Sequence, residues 1–500
     1  MNKKEALTNY KNGLKKINAY RLMLSTAYFD KQTIAPKAGN EYRNEMFAIM
    51  SGEAFMSQID PIFVESVNYL NDVDLPFELK REIALVKKSL DNLTRFSKED
   101  VMEYELACGD SFDAWEKGKQ TNNYALWAPK LLKVIELSKK RAKIRNPKKD
   151  AYDLYLDDFE EGMTRKDYEK FFNNIKEKLV PIIKQVNSKQ SEVDDSFLYK
   201  YYPKDKQEKF IKEALLPFLG FDSSWGYMGV SEHPFTDGFQ SGDIRITTSY
   251  DEHNVASCIF SVIHETGHAF YMHQVDKKYD GTSINSDISS GMHESQSRFF
   301  ENYLGRRKSF WVTLYPKLQK IFPENLSDVT IDQFVRAINA SRSSLIRTDA
   351  DELTYPLHIL IRYEIEKGIF DNKVDLNNLN KIWNKKYKEY LGVDVPSDTK
   401  GILQDIHWSD GSFGYFPTYA LGSAIGAQIL HKMEKDIDID EILSKGQFKK
   451  ITNYLKNNLQ KYGALYNYDE LLRMVTGEPF KSKYYVDYLT KKYKKLYKIK

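Results

Sequence analysis

Residues 256–274 read ASCIFSVIHETGHAFYMHQ, apolar or small at most positions and free of proline. A stretch of that length and character reads as a buried helix. Apolar residues recur at the same helical spacing, uninterrupted, through Gln207–Leu219 and Ile451–Tyr462. Only 25 Gly and 15 Pro punctuate 500 residues, so the expected body is mainly helical.

Within the first stretch, His264-Glu265-Thr266-Gly267-His268 spells H-E-x-x-H. Four residues make slightly more than one helical turn, so both imidazoles leave one face about 6 Å apart and can bind one cation. Glu265 then lies on the adjoining edge of that face. There it can reach a water at the metal without being a ligand, which is the placement of a general base. Six of the nine histidines, from His233 to His293, fall in this window, which concentrates the chemistry there.

A catalytic zinc takes a third protein ligand and keeps one position open. After a loop rich in Ser, Gly and Asp, GMHESQSRFFENYLGRR begins at Gly291 and reads as a second helix. Glu294, in its first turn, is the third-ligand candidate. Glu301, two turns on, faces the same way and is placed to brace an imidazole N–H, or else to form a solvated ion pair. His273 is about 140° round the helix from His268 and belongs to packing or surface. His293 is assigned beside the site rather than to the metal. Two imidazoles and a carboxylate suit zinc, and cobalt or manganese can occupy the same ligands. The implied chemistry is hydrolysis of an amide, with Glu265 moving the proton.

The rest of the composition excludes other classes. Lys plus Arg number 74 against 71 Asp plus Glu, a net charge of +3 that argues for neither nucleic acid nor membrane. The start, MNKKEALTNYKNGLKKINAY, does not read as a secretory signal, and no run is apolar for long enough to span a bilayer. Two cysteines, Cys108 and Cys258, offer no disulfide framework, so the cytoplasm is expected. The lysine-rich tail from Lys481 keeps apolar residues at helical spacing and reads as an amphipathic terminal helix. No repeat or linker divides the chain, so residues 1–500 are taken as one domain, with a soft lobe boundary at the turn-rich segment Gly220–Gly242.

Many motifs in order resemble the Taq-type metallocarboxypeptidase family: TIAPKAG at Thr33–Gly39, LDDFEEGMT at Leu156–Thr164, HPF at His233–Phe235 and DIRITTSY at Asp243–Tyr250. HETGHAFY, HESQSRFFEN, LIRTDADELTY at Leu345–Tyr355, GILQDIHWSDGSFGYFPTYALG at Gly401–Gly422 and KYYVDYLTKKY at Lys483–Tyr493 continue the series. The resemblance implies a two-lobed, mainly helical, neurolysin-like fold with a deep cleft and a small antiparallel sheet beside the metal. It also implies a homodimer and broad removal of single C-terminal residues from peptides. It places zinc on His264, His268 and Glu294 and catalysis on Glu265, as the residues themselves do. Where the family has D-x-R-x-T this chain has Asp243, Arg245 and Thr247, whose period of two sets them on one face of a strand. An edge strand there can hold an extended peptide by its backbone. Arg347, in I-R-x-x-x-D with Asp351, is the candidate clamp for the substrate's terminal carboxylate, with a structural bridge to Asp351 the alternative. In G-x-x-Q-D-x-H-W, Gln404, Asp405, His407 and Trp408 lie together. His407 and Tyr419 have donors suited to a developing oxyanion, and spacing does not choose between Tyr419 and Tyr415.

Departures from the family fall at Phe29, Ser249, His273 and Asp349, away from the metal and its base. Two rivals share the body: an endo-acting zinc oligopeptidase, which needs no free carboxyl end, and a silent peptide-binding scaffold, which has no use for Glu265.

Overall fold

The structure, a computed structural model, describes residues 1–499. The mainly helical body and the small sheet expected from the sequence are both present. Helices α1 (Lys3–Thr33), α2 (Asn40–Gln58), α3 (Pro61–Asn71) and α4 (Phe77–Thr94) open the chain. Asn2 and Glu5 form a reciprocal cap on α1, and Asp60 followed by Pro61 starts α3. Tyr10, Leu14, Phe63, Val67, Ile83 and Leu90 from α1, α3 and α4 bury one another in a small core of their own. A second, much larger core draws on residues from Ala107 to Tyr497, and a third, small cluster gathers Val275, Tyr279, Ile284 and Leu465. Ion pairs join the first layer to the body: Arg81–Glu161 at 3.0 Å, Lys88–Asp157 at 3.0 Å and Lys278–Glu78 at 2.7 Å.

The division between cores therefore falls just beyond α4. It does not fall at Gly220–Gly242, where the soft boundary was expected. The turn residues there serve strands instead: β1 (Gly226–Val230) and β2 (Thr236–Gln240), followed by β3 (Asp243–Thr248). Chain direction reverses between β1 and β2 and again at Ser241–Gly242, so β3 runs parallel to β1 and antiparallel to β2. The sheet is thus mixed rather than antiparallel, in the order β1-β3-β2. Because β3 is central, its backbone is paired on both sides and it is not the edge strand proposed to receive a peptide.

The period of two holds at the start of β3: Ile244 and Ile246 enter the core while Asp243 and Arg245 stay partly exposed on the other face. Thr247 does not join them as a substrate contact. Residues 231–235 cover it completely, with the Ser231 hydroxyl at 2.7 Å and the Phe235 N–H at 2.9 Å both donating to its oxygen.

Four helices carry or support the metal motifs: α5 (Val255–His273), α6 (Ser290–Arg298), α7 (Tyr355–Phe370) and α8 (Phe416–Asp436). Helix α6 continues as a π-helical stretch, Phe299–Leu304, a local widening that recurs at functional sites. Close approach of α6 to its neighbours depends on two glycines. A Cβ at Gly267 would meet the Gln296 carbonyl oxygen at 2.6 Å, and one at Gly422 would meet the Glu294 Cβ at 2.8 Å. Helix α6 thus packs closely against α5 on one side and α8 on the other, with the Glu294 side chain directly over Gly422. The terminal helix α9 (Lys483–Leu496) is present as the tail's spacing predicts, burying Tyr485, Leu489 and Tyr493.

Candidate active site

The Asn254 side chain accepts the Ser257 N–H and starts α5, and the helix places His264 and His268 one turn apart with ring centroids 4.9 Å from each other. Glu294 Oε2 lies 3.9 Å from His264 Nε2 and 3.6 Å from His268 Nε2. One donor atom from each residue falls within 4.8 Å of the others. A cation about 2 Å from each donor fits that triangle.

The remaining atoms of the ligands are committed in a way that suits a metal. His264 Nδ1 is 2.9 Å from Glu301 Oε2, which can only accept, so Nδ1 donates and Nε2 is the nitrogen left to face Glu294. Burial alone would lower this imidazole, but Glu301, Glu294 and Glu265 raise it above its ordinary value. Burial, reinforced by the neighbouring His293 and His264, holds His268 well below its ordinary value and therefore neutral. On Glu294, Oε1 accepts the Arg298 Nε–H at 2.7 Å, which turns Oε2 toward the imidazoles. Arg298 also donates from Nη1 to Glu301 Oε2 at 3.1 Å. One buried guanidinium thus ties the ligand carboxylate to the carboxylate that orients His264. Burial alone would raise the Glu301 carboxyl, but Arg298, His264 and Arg306 together hold it well below the usual carboxylate range. The Glu301→Gln variant is expected to keep the fold and to bind zinc about 10–100-fold more weakly, as when the partner of a ligating imidazole is lost. Competition with a chromogenic chelator reads this directly, and an unchanged affinity would remove Glu301 from the metal's support.

Glu265 is not among the three converging donors. It is buried, and its Oε2 accepts the Thr236 hydroxyl at 2.6 Å from β2. Burial raises its carboxyl, partly offset by His264 and Thr236.

The candidate substrate residues gather in a second cluster. Arg347 pairs with Asp405, not Asp351: its Nε and Nη2 donate to Asp405 Oδ1 at 3.1 and 2.9 Å. Asp351 instead accepts the N–H groups of Leu353, Thr354 and Arg342 and folds its own loop. Arg362 takes the other oxygen of Asp405 from Nε at 2.7 Å. Burial would push Asp405 up, yet Arg362 and Arg347 hold it well below the carboxylate range. The Arg347 guanidinium lies 5.0 Å from the centre of the Tyr419 ring, and that ring is 5.1 Å from Tyr415. His407 Nε2 and the Tyr419 hydroxyl are 3.5 Å apart. Burial pushes His407 down to about 4, so its ring is neutral near pH 7. Burial raises both tyrosine hydroxyls. Tyr355 joins this cluster to the donor triangle: its hydroxyl is 3.4 Å from Arg347 Nη1 and the Arg298 guanidinium lies 4.4 Å from its ring centre.

Asp243 and Arg245 form a two-bonded pair, 3.1 and 3.0 Å, with the guanidinium 4.5 Å from the Phe239 ring centre. His273 packs, as expected, stacked on Trp225 at 3.9 Å. His293 stacks on His268 at 4.0 Å. Sequence reasoning missed Arg298, Thr236 and Arg362. Arg298 had a signal, since it stands four residues after Glu294 and three before Glu301 on one helix.

A family model described as Carboxypeptidase Taq (M32) metallopeptidase matches residues 9–493. The chain is 39% identical to "Carboxypeptidase 1" of Bacillus subtilis (strain 168) over 487 residues, 97% of each chain. It is 32% identical to "Thermostable carboxypeptidase 1" of Thermus thermophilus over 486 residues, 94% of this chain and 95% of the relative. Its structure is similar to that of the M32 carboxypeptidase from Deinococcus radiodurans R1, with a TM-score of 0.95 at 29% identity over 99% of both chains. With motifs, donor triangle and full-length similarity in agreement, the chain belongs to the carboxypeptidase Taq (M32) family of metallopeptidases.

Proposed function

We propose that this metallopeptidase is a zinc carboxypeptidase of broad range that removes the last residue of a peptide with a free C-terminus. The observation that carries the reading is Arg347: a buried guanidinium, held by Asp405, bordered by Tyr419 and linked to Glu294 through Tyr355, whose hydroxyl it approaches at 3.4 Å and whose ring faces the Arg298 that holds Glu294. A fixed positive charge in that place suits the terminal carboxylate of a substrate whose scissile carbonyl lies at the metal.

Zinc on His264, His268 and Glu294 would supply Lewis acidity to the carbonyl and acidify water. Glu265 takes a proton from the attacking water and delivers it to the leaving amine, its carboxylate steadied by Thr236. His407 Nε2 and the Tyr419 hydroxyl, 3.5 Å apart, are too far from each other for a good mutual hydrogen bond and near enough to donate to one oxygen. That favours Tyr419 as the oxyanion donor, with Tyr415 packed against it. Asp243 and Arg245, a locked pair beside Phe29 and Phe239, are kept as substrate contacts on the family resemblance alone. Among the described residues no helix is long and apolar enough to cross a membrane. The cytoplasmic setting and the homodimer rest on the family resemblance and the two free thiols.

A peptide and its C-terminally amidated twin separate this reading from an endo-acting oligopeptidase. The acid is expected to be cleaved about 100-fold faster or more, as expected for loss of a charge-assisted contact. Equal cleavage of the two would exclude the exopeptidase assignment.

A further inference from the structure

Residues 401–415, which carry His407, contain one short helical turn at Ile402–Gln404 and are otherwise irregular. The ring of His407 is poorly fixed by its own bonds: Nδ1 is buried without a partner, and Nε2 has only the long approach to Tyr419. Its place depends on the backbone either side. Both sides are gripped from α7 by two fully buried, oppositely charged residues one turn apart, Arg362 and Glu366. Arg362 holds the earlier side through Gln404 and Asp405. Glu366 holds the later side: Oε1 accepts the Trp408 Nε1–H at 2.7 Å and Oε2 accepts the Gly414 N–H at 2.9 Å. The Tyr152 hydroxyl fills Oε2 at 2.7 Å. Gly414 has φ +84, and a Cβ there would meet the Tyr155 carbonyl oxygen at 2.6 Å, so the chain turns sharply where Glu366 grasps it.

All three hydrogen-bond donors to Glu366 are neutral. A buried carboxylate without a direct counter-ion is costly, and burial raises this one to about 7 even with Trp408, Tyr152 and Gly414 bonded to it. An apolar residue would fill the space at less cost. What an anion adds is tighter and more directional acceptance of several donors at once. We propose that Glu366 is a positioning residue for His407, setting the later arm of its loop so that the imidazole and Tyr419 meet one oxygen. The inference rests on the oxyanion role given to His407 above.

The test uses the zinc-loaded, full-length enzyme and two probes: a phosphinic peptide, which mimics the tetrahedral transition state, and the free amino acid product. Glu366→Gln is expected to lower kcat about 10–100-fold, the range of a weakened oxyanion donor, with KM within about threefold and zinc retained. Affinity for the phosphinic peptide should fall by the same factor and affinity for the product should hold. Trp408→Phe deletes one donor and keeps a ring, and should give a smaller loss of the same kind. On a His407→Phe background, Glu366→Gln should cost little more, because residues acting through one group are not additive. An unchanged kcat in both variants, or a loss that adds fully to that of His407→Phe, overturns the proposal. A silent His407→Phe overturns the oxyanion reading and the purpose assigned to Glu366 with it. A normal His407→Phe defect beside silent Glu366 and Trp408 variants overturns only the positioning role.

Discussion

Glu265→Gln is expected to retain zinc and to lose peptide hydrolysis by roughly 10³-fold or more, as when the base for the attacking water is removed. The separation between binding and turnover follows from the geometry. The donor triangle consists of His264, His268 and Glu294 and does not include Glu265. Gln matches Glu in size and keeps a carbonyl oxygen for the Thr236 hydroxyl, so α5 and its contact with β2 should stand. What disappears is the ability to hold a proton between the water and the leaving amine. Burial raises the wild-type carboxyl, which makes it a better base than an exposed glutamate. Metal content measured beside turnover of a short peptide decides the matter. A variant within tenfold of wild type, or one that loses its zinc, would show that Glu265 has a different job.

The metal helix was legible because its information is local: the four-residue spacing of His264 and His268 fixes their geometry on any α-helix. Glu294 was legible for the same reason, standing in the first turn of a helix that restarts after a turn-rich loop, whereas Glu301 was left between an imidazole brace and a solvated ion pair, and it bonds both His264 and Arg298. Features that depend on distant partners were not. Arg347 stands four residues before Asp351, which invites a local pair, but Asp351 is occupied by backbone N–H groups and the partner is Asp405. Alternation along β3 located Asp243 and Arg245 on one face, yet nothing in that strand says that β1 lies on its far side or that residues 231–235 bury Thr247. The break between cores was invisible because no linker marks it: the first helices meet the body through ion pairs and through rings such as Phe29 on Tyr227 and Phe235.

Arg347→Lys should lower kcat/KM for peptides with a free C-terminus by about 10²–10³, chiefly through KM, from the loss of two charge-assisted hydrogen bonds worth roughly 1.5–2 kcal/mol each. The guanidinium spends Nε and one hydrogen of Nη2 on Asp405 Oδ1, and its Nη1 has only a long contact to the Tyr355 hydroxyl at 3.4 Å. The N–H groups that remain lie in one plane and can meet both oxygens of a carboxylate. A lysine ammonium keeps the charge but cannot satisfy Asp405 and grip a second carboxylate in parallel. The fold should survive, because Asp405 keeps Arg362 on its other oxygen. The diagnostic quantity is the ratio of kcat/KM for a peptide to that of its amide. In wild type the ratio is expected to be large. In Arg347→Lys it should fall toward unity, because the amide, which never used the clamp, loses little. A variant that slows both substrates equally would mean that Arg347 supports the loop rather than the ligand, and the source of end specificity would have to be sought at Arg245.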